Sequence, residues 1–303
     1  MAQDYSEIIE NLGKDRVMQN EPMSLHTTFR IGGPADLFFE AKTTKDLVDA
    51  IKLCKQNKIC YFILGGGSNL LVNDRGFRGM VIKIRNAKYL MRNTKIIADA
   101  GMLLGDLVKK TAQMGLSGLE FAVGIPGTVG GAIRGNAGAW QQNIGDKVIR
   151  VKILSPLGKI KWLEANDCQF SYRQSRFKIK PEIILEVELE LDEGNKDEIA
   201  KKIEENREKK SLQPKEPSAG CVFVNPKDCR AGQLIEQCGL KGKKIGGAQI
   251  SPKHANFIVN LGKAKAADVK CLIELAKKMV LQKFGIHLQE EVYLLGFDKI
   301  KGV

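Results

Sequence analysis

Two glycine-rich stretches decide how this chain is read. The first is Leu64-Gly65-Gly66-Gly67-Ser68-Asn69-Leu70-Leu71-Val72. The second runs Gly124-Ile125-Pro126-Gly127-Thr128-Val129-Gly130-Gly131-Ala132-Ile133-Arg134-Gly135-Asn136-Ala137-Gly138. Glycine serves where backbone takes a positive φ or comes close to another group. A run of amides without Cβ also makes a cradle for phosphate oxygens. Neither stretch holds the G-x-G-x-x-G of a Rossmann fingerprint, and neither continues into the G-K-[ST] of a P-loop. One such stretch alone reads as tight turns. Two of them suggest a single long phosphorylated ligand, such as a dinucleotide, held at two places outside the Rossmann geometry.

Outward from these stretches, helical and extended segments mix. Cys60–Leu64 is a short apolar run that stops at Gly65, as a buried strand feeding a loop would. Leu47, Val48, Ile51 and Cys54 give Asp46–Lys55 helical spacing. Gly79–Ile84, Lys95–Ala98, Val148–Leu154, Lys159–Leu163 and Glu182–Leu191 read as strands. Leu104–Gln113 reads as a helix closed by Gly115. Lys196–Lys210 is a highly charged helix, and Ser211–Ser218, with Pro214 and Pro217, is a linker. Beyond it come a helix at Ala231–Cys238, a strand at Asn256–Leu261, a long helix at Ala266–Phe284 stopped by Gly285, and a strand at Glu291–Leu295. The fold class is α+β.

Composition sets the outer bounds. The 303 residues are 43% hydrophobic and 27% charged, as in a globular enzyme. Lys and Arg number 48 against 35 Asp and Glu, a net charge of +13, which points to anionic partners. Aromatics at 6% weaken a reading based on nucleobase stacking. Residues 205–303 hold 18 Lys and Arg against 10 Asp and Glu, or +8, so most of the excess lies there. No apolar run approaches 18 residues, and the acidic start lacks the character of a signal peptide, so no membrane span is expected and a cytoplasmic protein is. Seven cysteines without a C-x-x-C pair, and three histidines, offer no zinc pattern. Cys54, Cys168 and Cys271 read as small buried hydrophobes.

Six motifs in order then carry a resemblance. They are His26-Thr-Thr-Phe-Arg30-Ile-Gly32-Gly33-Pro-Ala35, the two glycine stretches, Phe170-Ser-Tyr-Arg173-Gln-Ser175-Arg-Phe177, Ala219-Gly-Cys221-Val-Phe-Val-Asn225-Pro226 and Gln289-Glu-Glu291-Val292. Together they resemble the UDP-N-acetylenolpyruvoylglucosamine reductase family, over nearly the whole chain. The short distance from Phe177 to the strand at Glu182 resembles the family's shorter form, without an inserted tyrosine loop. The resemblance implies a two-lobed vanillyl-alcohol-oxidase-like FAD-binding domain, with subdomains at 1–85 and 86–205, and a smaller substrate-binding domain at 206–303. It implies that NADPH reduces FAD, and that reduced FAD reduces UDP-N-acetylenolpyruvoylglucosamine to UDP-N-acetylmuramate, a step toward peptidoglycan.

The same resemblance implies roles for individual residues. Gly65, Gly66, Gly67, Ser68, Asn69, Gly127, Thr128, Gly130, Gly131 and Ala132 are the expected FAD contacts, with Asn136–Gly138 beside the flavin ring and Arg30 a weaker candidate. Arg173 would steady the enolate that forms when hydride reaches C3, because guanidinium offers a planar fork to a carboxylate. Glu291 would assist at that centre, with Glu290 as its ambiguous neighbour. Cys221 stands where the family usually has serine, and would give a proton to C2; an ordinary thiol, with a pKa of about 8.5, is a better acid than a hydroxyl. Asn225, Lys215 and Lys241 are the substrate contacts carried over, though a lysine such as Lys241 also fits plain solvated surface. His254 reads as a structural residue. Two other functions remain at this point: a flavin oxidase or dehydrogenase of a sugar or lactone, and a basic RNA-binding protein without flavin.

Overall fold

A computed structural model describes residues 4–297, and among them are seven α-helices. They are α1 (Ser6–Leu12), α2 (Thr44–Gln56), α3 (Leu104–Gln113), α4 (Val129–Gly135), α5 (Lys196–Ser211), α6 (Ala231–Gln237) and α7 (Ala266–Phe284). Local chemistry sets their ends. Thr43 caps α2 by accepting from the N–H of Asp46, whose carboxylate answers to the N–H of Thr43. Past α3 and α7 lie Gly115 (φ +75°) and Gly285 (φ +69°), which turn the chain out of the helix.

The chain divides into two compact units, and neither is continuous in sequence. The first holds residues up to Arg16, Phe39–Gly66 and Ile82–Lys210. The second holds Val17–Phe38, Gly67–Val81 and the residues from Ser211 onward. The consecutive segments 1–85, 86–205 and 206–303 do not coincide with these units. The reason is that strands Pro34–Ala41 and Phe77–Ile84 each cross the boundary partway along. A four-stranded sheet runs in the order Val17–Pro22, Pro34–Ala41, Phe77–Ile84, Tyr61–Leu64.

The first unit contains a five-stranded antiparallel sheet. Its order is Ile160–Glu164, Val148–Leu154, Ile183–Glu190, Lys95–Asp99, Tyr89–Arg92. Alternate residues Ile96, Ala98, Val151, Ile153, Val187 and Leu189 are buried with Leu104, Leu107 and Val108 of α3 and Val129, Ala132 and Ile133 of α4. Burying each Val, Leu or Ile side chain among them stabilises the unit by roughly 1.5–3 kcal/mol. Among charged residues on this sheet, Asp99 is half-buried, and burial raises its carboxyl above the usual range.

The second unit has its own core. A four-stranded antiparallel sheet runs Ser218–Cys221, Phe257–Asn260, Ala248–Ile250, Lys244–Ile245. Helix α7 buries Val269, Leu272, Ile273, Ala276 and Val280 in one core with Val222, Phe223, Ile250 and Ile258. Their spacing of three, four and seven residues is that of a single helical face. Leu70–Val72, the strand that leaves the first glycine stretch, pairs in parallel with Tyr293–Leu295.

Several predicted elements need adjustment. The strand expected at Glu291–Leu295 begins only at Tyr293, because the N–H groups of Glu291 and Val292 both donate to the carbonyl of Val222 instead of entering a ladder. The second glycine stretch contains α4, a helix that its glycine content does not predict. Strands Val17–Pro22, Pro34–Ala41 and Tyr89–Arg92 also go beyond the sequence pattern. Cys54 and Cys168 are buried as expected, and burial pushes both thiols up to about 12. Cys271 departs from expectation: it lies exposed on α7.

Candidate active site

In the first unit the two glycine stretches meet. A Cβ on Gly66 would lie 2.6 Å from the Cα of Gly127, and one on Gly65 would lie 2.7 Å from Oγ1 of Thr128. Side chains are therefore excluded where the loops cross, and bare backbone lines the junction. Thr128 caps α4, its hydroxyl accepting from the N–H of Gly131 at 3.3 Å. Gly130 seats the helix against Ala100, whose Cβ is 2.8 Å from where a Gly130 Cβ would stand. Gly65, Gly66, Gly127, Thr128, Gly130, Gly131 and Ala132 are thus gathered in one place. Their small size and bare amides fit a phosphate-bearing cofactor such as FAD.

The arginine motif is fastened to the end of α4. Asn136, left-handed at φ +43°, accepts from the N–H of Gly145 at 2.9 Å and donates through Nδ2 to the carbonyl of Ser171 at 2.8 Å. Ser175 donates to the carbonyl of Arg134 at 2.6 Å. Between these anchors Ser171 and Gln174 exchange backbone hydrogen bonds around Arg173, itself left-handed at φ +55°. Lys178 holds the carbonyl of Arg173 at 2.6 Å. Arg176 is taken up by Glu182, with contacts of 2.8 and 2.9 Å, and by the carbonyl of Asp167 at 2.8 Å. A bidentate pair of this kind is structural.

Gly67, Ser68 and Asn69 belong to the second unit and meet three other motifs there. The N–H of Thr28 donates to the carbonyl of Gly67 at 3.1 Å. The hydroxyl of Thr28 donates to the carbonyl of Ser218 at 2.7 Å and lies 3.4 Å from that of Ser68. Asn69 donates through Nδ2 to the carbonyl of Glu291 at 2.9 Å, and its own carbonyl accepts from Tyr293 at 3.0 Å. The N–H of Glu291 donates to the carbonyl of Val222, the neighbour of Cys221, at 2.7 Å. Cys221, Glu291 and Asn69 are thus tied into one backbone network. Asn256 completes it by serving both backbone groups of Phe223, accepting from the N–H at 3.0 Å and donating to the carbonyl at 2.8 Å. Sequence reasoning missed Thr28 and Asn256 as parts of this framework.

The remaining candidates divide. The carboxylate of Glu290 is held by Lys270 and Lys277, both at 3.2 Å. Asn225 accepts from the N–H of Ala231 at the start of α6 at 3.0 Å, a capping role that its motif does not announce. Lys241 pairs with Glu236 at 2.8 Å, and Lys215 is exposed in the segment before Ser218. His254 accepts from the N–H of Asn256 at 3.3 Å and meets Phe257 edge-on; burial holds its imidazole below the usual range, with Lys241 adding to the effect. Among the described residues, no group of three or more His, Cys, Asp or Glu could hold a metal ion, and no helix is long and apolar enough to cross a membrane.

Comparison with known proteins gives this framework its class. Residues 35–164 match the model of an FAD-binding domain, and residues 213–295 match that of the UDP-N-acetylenolpyruvoylglucosamine reductase C-terminal domain. The chain is an FAD-dependent oxidoreductase. UDP-N-acetylenolpyruvoylglucosamine reductase of Carboxydothermus hydrogenoformans is 46% identical over 284 residues, covering 92% of this chain and 94% of that one. The enzyme of the same name from Caldanaerobacter subterraneus subsp. tengcongensis is 44% identical, covering 95% and 96%. The crystal structure of the Thermus caldophilus reductase superposes with a TM-score of 0.81 at 36% identity, covering 92% of this chain and 99% of that one. The chain belongs to the UDP-N-acetylenolpyruvoylglucosamine reductase family, whose members serve peptidoglycan synthesis.

Proposed function

We propose that this chain, in the cytoplasm, reduces the enolpyruvyl ether of UDP-N-acetylenolpyruvoylglucosamine to UDP-N-acetylmuramate, with NADPH as electron source and Cys221 as proton donor to C2. The observation that carries the reading is the clamp on Glu291. Its N–H is held by the residue after Cys221, and its carbonyl by Asn69 at the end of a glycine stretch. An acid, a carboxylate and the cofactor loop therefore share one rigid framework in the second unit.

FAD, when bound and reduced, supplies hydride to C3 of the enolpyruvyl group. The chain's own residues then manage the charge and the proton. Charge at C2 spreads into the substrate carboxylate, and Arg173 is the residue the family's motif offers to hold it. The Sγ–H bond of Cys221 breaks as the C2–H bond forms, and the thiolate left behind regains a proton from water. Glu291 assists by holding a proton or a hydrogen bond. Asn225 and Lys215 contact the substrate, and Lys241 reaches its UDP phosphates. Fixed donors aimed at developing charge are worth about 3–4 kcal/mol each in such sites.

The test is NADPH oxidation that depends on the enolpyruvyl nucleotide, in protein carrying FAD. Cys221→Ala keeps flavin reduction by NADPH and loses reduction of the nucleotide, while Cys221→Ser keeps substantial turnover. Normal turnover in Cys221→Ala removes the thiol from the mechanism. Electrons passing to oxygen faster than to the nucleotide would overturn the substrate assignment in favour of an oxidase.

A further inference from the structure

Cys221 comes after a break in its strand. Ser218 pairs with Val259 and Cys221 with Phe257, so two residues, Ala219 and Gly220, stand opposite one. Gly220 is left-handed at φ +75°. A bulge of this kind re-aims the side chain beyond it. Its far side is fixed by Val222, whose N–H donates to the carbonyl of Asn256 at 2.8 Å and whose carbonyl takes the N–H of Glu291. Its near side is fixed by the Thr28 hydroxyl on the carbonyl of Ser218 at 2.7 Å. The N–H of Thr28 holds the carbonyl of Gly67 in the cofactor loop at the same time.

We propose that Thr28 is a positioning residue: through Ser218 it sets the bulge that aims Cys221, and through Gly67 it ties that aim to the cofactor loop. The inference rests on the reading of Cys221 as proton donor. Its hydroxyl and N–H bond backbone carbonyls, and Ser218 lies 190 residues away in sequence. Misplacing a reacting group by an ångström or less slows the step that uses it and spares the others.

The test compares the two half-reactions in the holoenzyme. Thr28→Val keeps the shape and removes the hydroxyl. It keeps FAD bound and flavin reduction by NADPH within about twofold of the parent, and slows nucleotide reduction by about tenfold. A solvent deuterium effect then appears in the slowed half-reaction, because proton delivery has become limiting. Thr28→Ser, which retains the hydroxyl, restores the rate. Alkylation of Cys221 by iodoacetamide, read by mass spectrometry against exposed Cys271, shifts severalfold in Thr28→Val and returns in Thr28→Ser. Gly220→Ala repeats the test from the bulge itself: no atom lies within 4 Å of the added Cβ, so only the left-handed backbone is strained. Equal slowing of both half-reactions, or unchanged Cys221 alkylation in both Thr28→Val and Gly220→Ala, overturns the proposal. A normal rate in Cys221→Ala instead overturns the proton-donor reading, and alkylation still reports whether Thr28 aims the thiol.

Discussion

Replacing Gly66 by alanine tests whether the two glycine stretches interlock. The new Cβ would stand 2.6 Å from the Cα of Gly127, 3.2 Å from its carbonyl carbon and 3.4 Å from the nitrogen of Thr128. Carbon atoms rest at about 3.5–4.0 Å, so the loops must part by about 1 Å. All three neighbours are backbone, and no side chain can swing away. Overpacking of this size costs about 1–3 kcal/mol. Where bound FAD needs the loops in their closed spacing, that cost weakens its affinity by about 5- to 150-fold. Gly105→Ala is the control, because nothing lies within 4 Å of its added Cβ and it sits in α3; it should gain up to about 1 kcal/mol from helix propensity. The assay is titration of apoprotein with FAD, monitored by flavin fluorescence, with thermal melts of each apoprotein. Unchanged FAD affinity and melting temperature in Gly66→Ala would refute the interlocked geometry.

Single contacts set the other expected outcomes. Arg176→Met breaks the pair with Glu182, whose side chain is 9% exposed, and should lower stability by about 2–3 kcal/mol in chemical denaturation; Arg173→Met should remove nucleotide reduction. Asn256→Ala strips Phe223 of partners for both its N–H and its carbonyl, at a cost of about 2–4 kcal/mol, read as a lower urea midpoint. His254 is held neutral by burial, so the unfolded chain binds the proton more readily. The stability it lends is present above its ordinary value of about 6.5 and is lost as pH falls through the lower folded value. His254→Asn should therefore flatten the drop in melting temperature between about pH 7 and pH 5; an unaltered slope would discount the buried imidazole.

Much of the architecture is legible where local pattern and burial agree. Helices α3 and α7 and the strand Val148–Leu154 coincide with their sequence readings, because each carries its apolar residues at one period and stops at a glycine or a turn. Helix α4 is hidden by three glycines in seven residues, which lower helix propensity; Thr128 as cap and Val129, Ala132 and Ile133 at helical spacing are the signal present. Tyr89–Arg92 is an edge strand with little buried surface, so it shows no alternation. At the site, motifs name the residues but not their partners. Arg173 and Arg176, or Glu290 and Glu291, are equivalent on paper. The structure shows what sequence could not: Arg176 is paired with Glu182, and Glu290 with Lys270 and Lys277, twenty and thirteen residues away. Thr28 sits within a motif yet shows no task there, because its acceptor lies far along the chain.

The parallel pairing of Leu70–Val72 with Tyr293–Leu295 has a consequence for biosynthesis. Ribosomes add roughly 5–20 residues per second, so the early strand waits about ten to forty seconds for its mate. Through that interval three fully buried residues, Leu70, Leu71 and Val72, are without their native neighbour and offer a sticky template to other nascent chains. Residues 17–38 share that wait, since their unit is also finished by the last third of the chain. The first unit, by contrast, has all its residues once Lys210 has emerged. Cutting the gene after that residue would yield a flavin half burdened with two orphaned insertions, not two self-sufficient proteins, which makes the second unit hard to lose or exchange by simple truncation.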